Sequence, residues 1–413
     1  MISNLKPYPR YKPSGVDWLG DVPEHWEVKR LKRICFFIYG DSLPVELRRV
    51  GNISVYGSNG PVGYHDAANT LAPCIIVGRK GSFGKVRYSK KPVFAIDTTY
   101  YIDKRYTSNN LNWLYYALSW LRLDGASRDS AVPGLDREEA YARILPLPPH
   151  DEQKYINNFL NVISSKINRF IRKRRRLIEL LNEYKQAIIN QYVTGKIDPR
   201  TGKPYPRYKP SGVDWLGDVP EHWEVKRIKQ ICRFAYGDSL PNNNRCDGEF
   251  SVFGSNGKVG SHSDANTLCP CIIIGRKGSF GKVNYSREPI FAIDTTYFVD
   301  QRFTREDIRW LYYILVWARL DAVTKDSAIP GLDRNEAYAE LIPYCSKEEQ
   351  SAIAASLDAN LLKCDNLITQ LQREIALLRE FRTRLIADVV TGQVDLRGWQ
   401  PGPEDVVDDA ALA

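Results

Sequence analysis

Tyr8–Arg30 reads YPRYKPSGVDWLGDVPEHWEVKR, and the same letters return unchanged at Tyr205–Arg227. This offset of 197 residues holds without insertion or deletion as far as Asp198 and Asp395, so the chain is a tandem duplication. The period is far longer than the roughly 20–50 residues of solenoid and propeller repeats. Each copy is long enough to enclose a core of its own.

After the repeated opening come short runs rich in β-branched and aromatic residues: RICFFIYGDSL, SVYGSNGPVGYHD, CIIVGRKGSFGKVRYS and VFAIDTTYYID. Bounded by Gly, Asn and Pro, they predict a strand-rich domain with exposed hairpin loops. Asn109–Leu123 places Trp113, Leu114, Ala117, Leu118 and Leu121 on one helical stripe, which packs a helix on the sheet. Asp136 and Glu139 form a start signal for a short helix, and Pro146, Pro148 and Pro149 halt the chain before the next element.

That element is long. From Asp151 to about Tyr192, apolar residues recur at Leu160, Ile163, Ile167, Phe170, Leu177, Leu181, Tyr184 and Ile188, broken at Arg174. The three-four alternation predicts a coiled-coil seam. The second copy gives Leu361, Cys364, Ile368, Leu371, Ile375, Leu378 and Leu385, and Gly195 and Gly392 offer left-handed caps. One seam alone buries nothing, so the two helices are expected to pair with each other. Antiparallel pairing would relate two similar heads by an approximate two-fold axis. The fold class is thus α+β: two strand-rich α/β domains separated by two long helices that pair as an antiparallel coiled coil.

The formal net charge of +9 over 413 residues fits an anionic polymer as partner. Double-stranded DNA, with two-fold axes and repeated half-sites of its own, is the natural match for a duplicated reader. The N-terminus lacks the apolar core of a signal peptide, and no run of about 18 apolar residues occurs, so the expectation is a soluble cytoplasmic protein without a membrane partner. The eight cysteines form no C-x-x-C pair and read as buried reduced thiols, with Cys269 and Cys271 on one face of a strand. No His, Cys or carboxylate cluster has metal spacing, and His25 and His222 read as packed surface histidines.

Several loops offer polar groups suited to DNA. GRKGSFGKV (Gly78–Val86 and Gly275–Val283) is not a P-loop, because Arg79 stands where a glycine is required and Val86 follows Lys85. It leaves Arg79, Lys80, Ser82 and Lys85, with Arg276, Lys277, Ser279 and Lys282, on a turn that can meet phosphates or a guanine edge, or simply be a solvated hairpin tip. GSNG supplies Ser58 and Asn59, with Ser255 and Asn256; it is first a turn, and the Asn amide could also pair with adenine. Thr98, Thr99 and Tyr100, with Thr295, Thr296 and Tyr297, either contact phosphate or cap a turn. SAVPGLDR and SAIPGLDR bring Ser130 and Arg137, with Ser327 and Arg334, to DNA or pack against the helical arm. The run RKRRR (Arg172–Arg176) faces a nearly neutral TQLQR in the second copy. It could touch DNA between half-sites, dock an acidic partner, or keep a helix face wet.

GVDWLGDVPEHWEVKR at the head of each globular segment, and ILPLPPHDEQKYINNFL at the head of the first long helix, resemble the specificity subunit of type I restriction-modification systems. The second copy departs from this at LIPYCSKEEQSAIAASL but keeps Glu349 and Gln350. The resemblance implies target-recognition domains at 20–149 and 217–344 and conserved helical regions at 150–198 and 345–397. An N-terminal segment (1–19), a linker repeat (199–216) and a disordered acidic tail (398–413) complete the chain. It implies a chain that does no chemistry and binds no cofactor, but holds two methyltransferase subunits that use S-adenosylmethionine to methylate adenine N6. Restriction subunits, with ATP and Mg²⁺, would join the same core. The missing N/D-P-P-F/Y tetrapeptide of amino-methyltransferases agrees. Because the heads are so alike, two inverted, nearly equal half-sites around an unread spacer are expected, with VELRRVGNI from Val45 against NNNRCDGEF from Asn242, Tyr64 against Ser261 and Arg87 against Asn284 as sources of asymmetry. The alternatives are a free-standing bipartite DNA-binding regulator, which would bind without help, and a nuclease or transferase that acts alone.

Overall fold

A computed structural model describes residues 5–125, 134–322 and 331–402. Ser130, Pro133, Ser327 and the tail from Pro403 lie outside the described residues. The chain divides into two compact units, Met1–Arg174 with Gln372–Ala413, and Arg175–Leu371. The two long helices, His150–Val193 and Lys347–Val390, each of 44 residues, therefore give one part to each unit.

In the first unit the opening motif makes two small ladders. Tyr11–Pro13 pairs with Asp21–Pro23, and Glu27–Arg30 pairs with Ile144–Leu147, the strand that leads into the long helix. The main sheet has four strands in the order Ile38–Tyr39, Thr99–Asp103, Cys74–Gly78 and Val86–Ser89, all antiparallel. Its two central strands are buried on both faces, which is why they read as unbroken apolar runs. A second sheet joins Gly60–His65, Ile53–Gly57 and Phe94–Ala95. Helix Leu111–Trp120 packs on the main sheet, capped by the Asn110 side chain, and buries Trp113, Leu114, Ala117 and Leu118. The short helix Arg137–Ala142 starts on Asp136, whose carboxylate accepts from the Glu139 N–H at 2.8 Å.

The second unit repeats this construction with the same registers 197 residues on: Tyr208 opposes Pro220 as Tyr11 opposes Pro23, and Leu341 opposes Arg227 as Ile144 opposes Arg30. Residues that follow each long helix complete a head. In the second unit the Tyr208 hydroxyl donates to Gly195 O at 3.0 Å; in the first, the Tyr11 hydroxyl donates to Gly392 O at 3.1 Å, and Lys6 bridges Asp395. Gly195 and Gly392 have φ of 70° and 76°, the left-handed conformation that ends a helix.

Within the first unit the helix segments run antiparallel: Asn168 accepts from Arg382 and, six residues on, Arg174 donates to Glu374 at 2.7 Å. Within the second, Lys185 pairs with Asp365. The seam of the second helix lies where the sequence places it, from Leu361 to Leu385. That of the first is shifted. Phe170 and Tyr184 are 48% and 54% exposed and Leu177 is exposed, whereas Ile171 is buried and Ile178 partly so. The inward positions run Leu160, Ser164, Ile167, Ile171, Arg174, Ile178, Leu181, Lys185 and Ile188. Three polar residues occupy them, so the apolar letters one place earlier mimic a seam. Ile171→Ala should therefore lower stability by about 2–5 kcal/mol, and Phe170→Ala by no more than about 0.5 kcal/mol, in urea unfolding curves. Equal losses would restore the sequence-based seam.

Six of the cysteines are buried, but Cys246 and Cys269 are exposed, which corrects the uniform reading. Cys269 precedes the strand Cys271–Gly275 rather than sharing its face. Among the described residues no helix is long and apolar enough to cross a membrane, and no group of three or more His, Cys, Asp or Glu could hold a metal ion.

Candidate nucleic-acid interface

Two carboxylate–amide pairs at the helix starts set the frame. Glu152 and Gln153 open the first long helix, nearly buried. Glu152 accepts from the Tyr8 hydroxyl at 2.7 Å and Trp26 Nε1 at 3.0 Å, and lies 2.6 Å from His25 Nε2. Gln153 accepts from Asn110 N–H at 2.9 Å and donates to Pro148 O at 3.0 Å. Glu349 and Gln350 repeat both roles with Tyr205, His222, Trp223 and Asp307. The repeated opening motif is thus a clasp around one carboxylate, and the two histidines pack at its surface, as the sequence predicts.

With each head clasped, one end of its main sheet is left for loops. In the first unit the GRKGSFGKV loop leaves the central strand at Gly78, and that glycine lies against the GSNG turn: a Cβ there would fall 2.3 Å from Ser82 O and 3.3 Å from Ser58 Cβ. Gly84, at φ 74°, touches the Asp124 backbone, a contact no larger residue could make. The loop runs straight into the strand Val86–Ser89. A P-loop continues into a helix N-terminus at that point, so this loop is not one.

Arg79 N–H donates to Thr98 O at 2.8 Å, its guanidinium donates to Asp97 O at 3.0 Å, and its carbonyl accepts from Leu135 N–H. These bonds draw together Ser58, Asn59, Arg79, Lys80, Ser82, Lys85, Thr98 and Arg137. The second unit assembles Ser255, Asn256, Arg276, Lys277, Ser279, Lys282, Thr295 and Arg334 in the same way, with Arg276 N–H on Thr295 O at 2.8 Å and Leu332 N–H on Arg276 O at 2.9 Å.

One residue of this face escapes the sequence reading. Tyr39, 46% exposed, has the guanidinium carbons of Arg79 and Arg137 each 5.2 Å from its ring centre. Tyr236, 50% exposed, stands between Arg276 at 5.3 Å and Arg334 at 5.0 Å. An aromatic ring within cation–π distance of two guanidinium groups makes an exposed cationic cluster. The only signal was an aromatic before Gly-Asp-Ser-Leu in both copies.

Other expected contacts face inward. Thr99 and Thr296 are fully buried and their hydroxyls donate to Ile96 O and Ile293 O, both at 2.7 Å. The Tyr100 hydroxyl donates to Leu135 O at 3.3 Å. Burial, with Tyr236 beside it, pushes the Tyr297 phenol up to about 12. These four residues are buried because their strands are covered on both faces, and their hydroxyls hold the loops rather than face solvent. Asn59 is also partly committed, since its Oδ1 accepts from Lys85 Nζ at 3.1 Å. A two-point pairing with adenine would require Lys85 to move. In the first unit Arg87 donates to Asn59 O at 2.5 Å; in the second, where Asn284 stands instead, Lys282 takes that carbonyl at 2.8 Å.

The family model of the type I restriction modification DNA specificity domain matches the chain twice, over residues 23–180 and 220–377, more than half of its length. The chain belongs to this family. It is similar to the type I restriction enzyme EcoBI specificity subunit of Escherichia coli, 26% identical over 50% of this chain and 45% of the relative. It is likewise similar to the MjaVIII specificity subunit of Methanocaldococcus jannaschii, 24% identical over 54% of this chain and 55% of the relative. The matches span about half the length of these two curated relatives. A chain solved in work on complex assembly and conformational transition of the type I R-M system has the same fold, with a TM-score of 0.64 and 14% identity over 91% of this chain and 99% of that one. In this specificity-domain chain, each matched region takes in one head and the start of the long helix that follows.

Proposed function

We propose that this specificity-domain chain is the DNA-reading and scaffold subunit of a type I restriction-modification complex. Each head reads one half of a split duplex target with its Arg–Tyr–Arg face, and the paired helices fix the distance between the halves. The observation that carries this reading is that face, built twice from the same residues: Tyr39 between Arg79 and Arg137, and Tyr236 between Arg276 and Arg334. Guanidinium groups held in place lose little freedom on binding and match guanine edges and phosphates in two-point geometry. Antiparallel pairing of two copies of one helix supports inverted half-sites of nearly equal sequence.

The chain itself is non-catalytic. S-adenosylmethionine would be held by two partner methyltransferase subunits that methylate adenine N6, and ATP with Mg²⁺ by restriction subunits, all in the cytoplasm. Purified chain mixed with such methyltransferase subunits and S-adenosylmethionine should place methyl groups at one DNA sequence, and neither component alone should do so. Sequence-specific binding and modification needing no partner would favour a free-standing regulator or enzyme instead.

A further inference from the structure

Arg169, Arg172 and Lys173 lie on the first long helix within the first unit, and their spacing of three and four residues puts them on one face. All three are exposed, and among the described residues their charged groups have no hydrogen-bond or ion-pair partner. Of their basic neighbours, Arg174 is committed to Glu374 at 2.7 Å and Arg176 to Glu179 at 3.0 Å, whereas Arg175, exposed and likewise without a partner among the described residues, belongs to the second unit. Three unpaired cations therefore stand within about 6 Å of helix axis.

The duplication supplies an internal control. At the matching positions the second long helix carries Asn366, Thr369 and Gln370, all exposed and uncharged. Hydration of this face thus needs no charge. Like charges three or four residues apart weaken a helix by about 0.2–0.5 kcal/mol per pair, so the cations are a local cost that an external anion would remove. Duplex DNA offers about one phosphate charge per 1.7 Å of its axis, and guanidinium matches phosphate oxygens in pairs. Protein carboxylates present charge far more sparsely.

We infer that Arg169, Arg172 and Lys173 bind the phosphodiester backbone of the DNA between the half-sites, adding affinity without reading bases. This rests on the reading that the heads recognise duplex DNA. Only the first copy makes the contact, so the grip on the spacer is one-sided.

The test exchanges the three residues for those of the second copy: Arg169→Asn, Arg172→Thr and Lys173→Gln. The second helix folds with that set, and unchanged melting would verify it here. Binding of the assembled complex is measured against salt concentration, on a duplex it selects from a random pool. The log–log slope should become shallower by about 2–3 in the triple variant, with preference over a duplex of scrambled half-sites unchanged. Methylphosphonates in the spacer should produce the same change in the native complex and none in the variant. An unaltered slope overturns the inference alone, as does loss of the methyltransferase subunits, which would assign the face to an acidic protein. A native complex that selects no sequence overturns the recognition reading, and this inference with it.

Discussion

Exchange of both Arg79 and Arg276 for glutamine is expected to weaken binding of the target duplex by about 30-fold to about 2 × 10⁴-fold, on the basis of about 1–3 kcal/mol per guanidinium contact. Each arginine is the shared member of its cluster: it stacks on the exposed tyrosine, donates to the Asp97 or Asp294 carbonyl, and carries the backbone bonds that join three loops. The backbone bonds survive the substitution, so the loops stay in place and only the charge and the fork are removed. Melting temperature should not move, because both side chains lie at the surface and the released carbonyls can be hydrated. The salt slope should also fall, by about 1 for each arginine that meets phosphate. Unchanged affinity in a gel shift of the assembled complex would remove both residues from the interface.

Glu349→Ala should reduce the stability of the second unit by about 3–5 kcal/mol. The substitution leaves the Tyr205 hydroxyl, Trp223 Nε1 and His222 facing an empty buried site, and releases the start of the long helix from the opening motif. The same carboxylate gives the unit an acid limit. Burial works against its ionisation, but hydrogen bonds from His222, Tyr205 and Trp223 outweigh that and hold it below the usual glutamate range. A depressed carboxyl contributes stability above its unfolded value of about 4.3, and loses it as pH falls through the lower folded value. Native protein should thus weaken on acidification below about pH 4, whereas Glu349→Ala should be weaker at neutral pH and change less in acid. Urea unfolding followed by tryptophan fluorescence measures both. A neutral-pH loss under about 1 kcal/mol would show that the clasp is not what joins head to helix.

Much of this construction was legible in the letters because it depends on periodicity and repetition. The 197-residue offset, the two long helices, the Asp136 cap and the glycine caps all follow from local spacing. The second seam was readable because its inward positions are apolar. The first was not, because Arg174 and Lys185 sit inside it and are neutralised by Glu374 and Asp365 from the other helix. That information is tertiary. For the same reason Thr99 and Tyr100 looked like ligand contacts: a hydroxyl at a strand end is silent about which face it takes. Tyr39 went unread since its value comes from Arg79 and Arg137, 40 and 98 residues away along the chain. The glycine-rich loops were legible as turns, because glycine and asparagine in one short run end a strand and reverse the chain.

The most direct test of the duplicated reader is the sequence at which the reconstituted complex methylates adenine, mapped over a whole genome. One split motif is expected, its two halves inverted and nearly identical around a spacer of fixed length, with any mismatch moved by exchanging Arg87 and Asn284. Two unrelated half-sites, or a single undivided one, would contradict it.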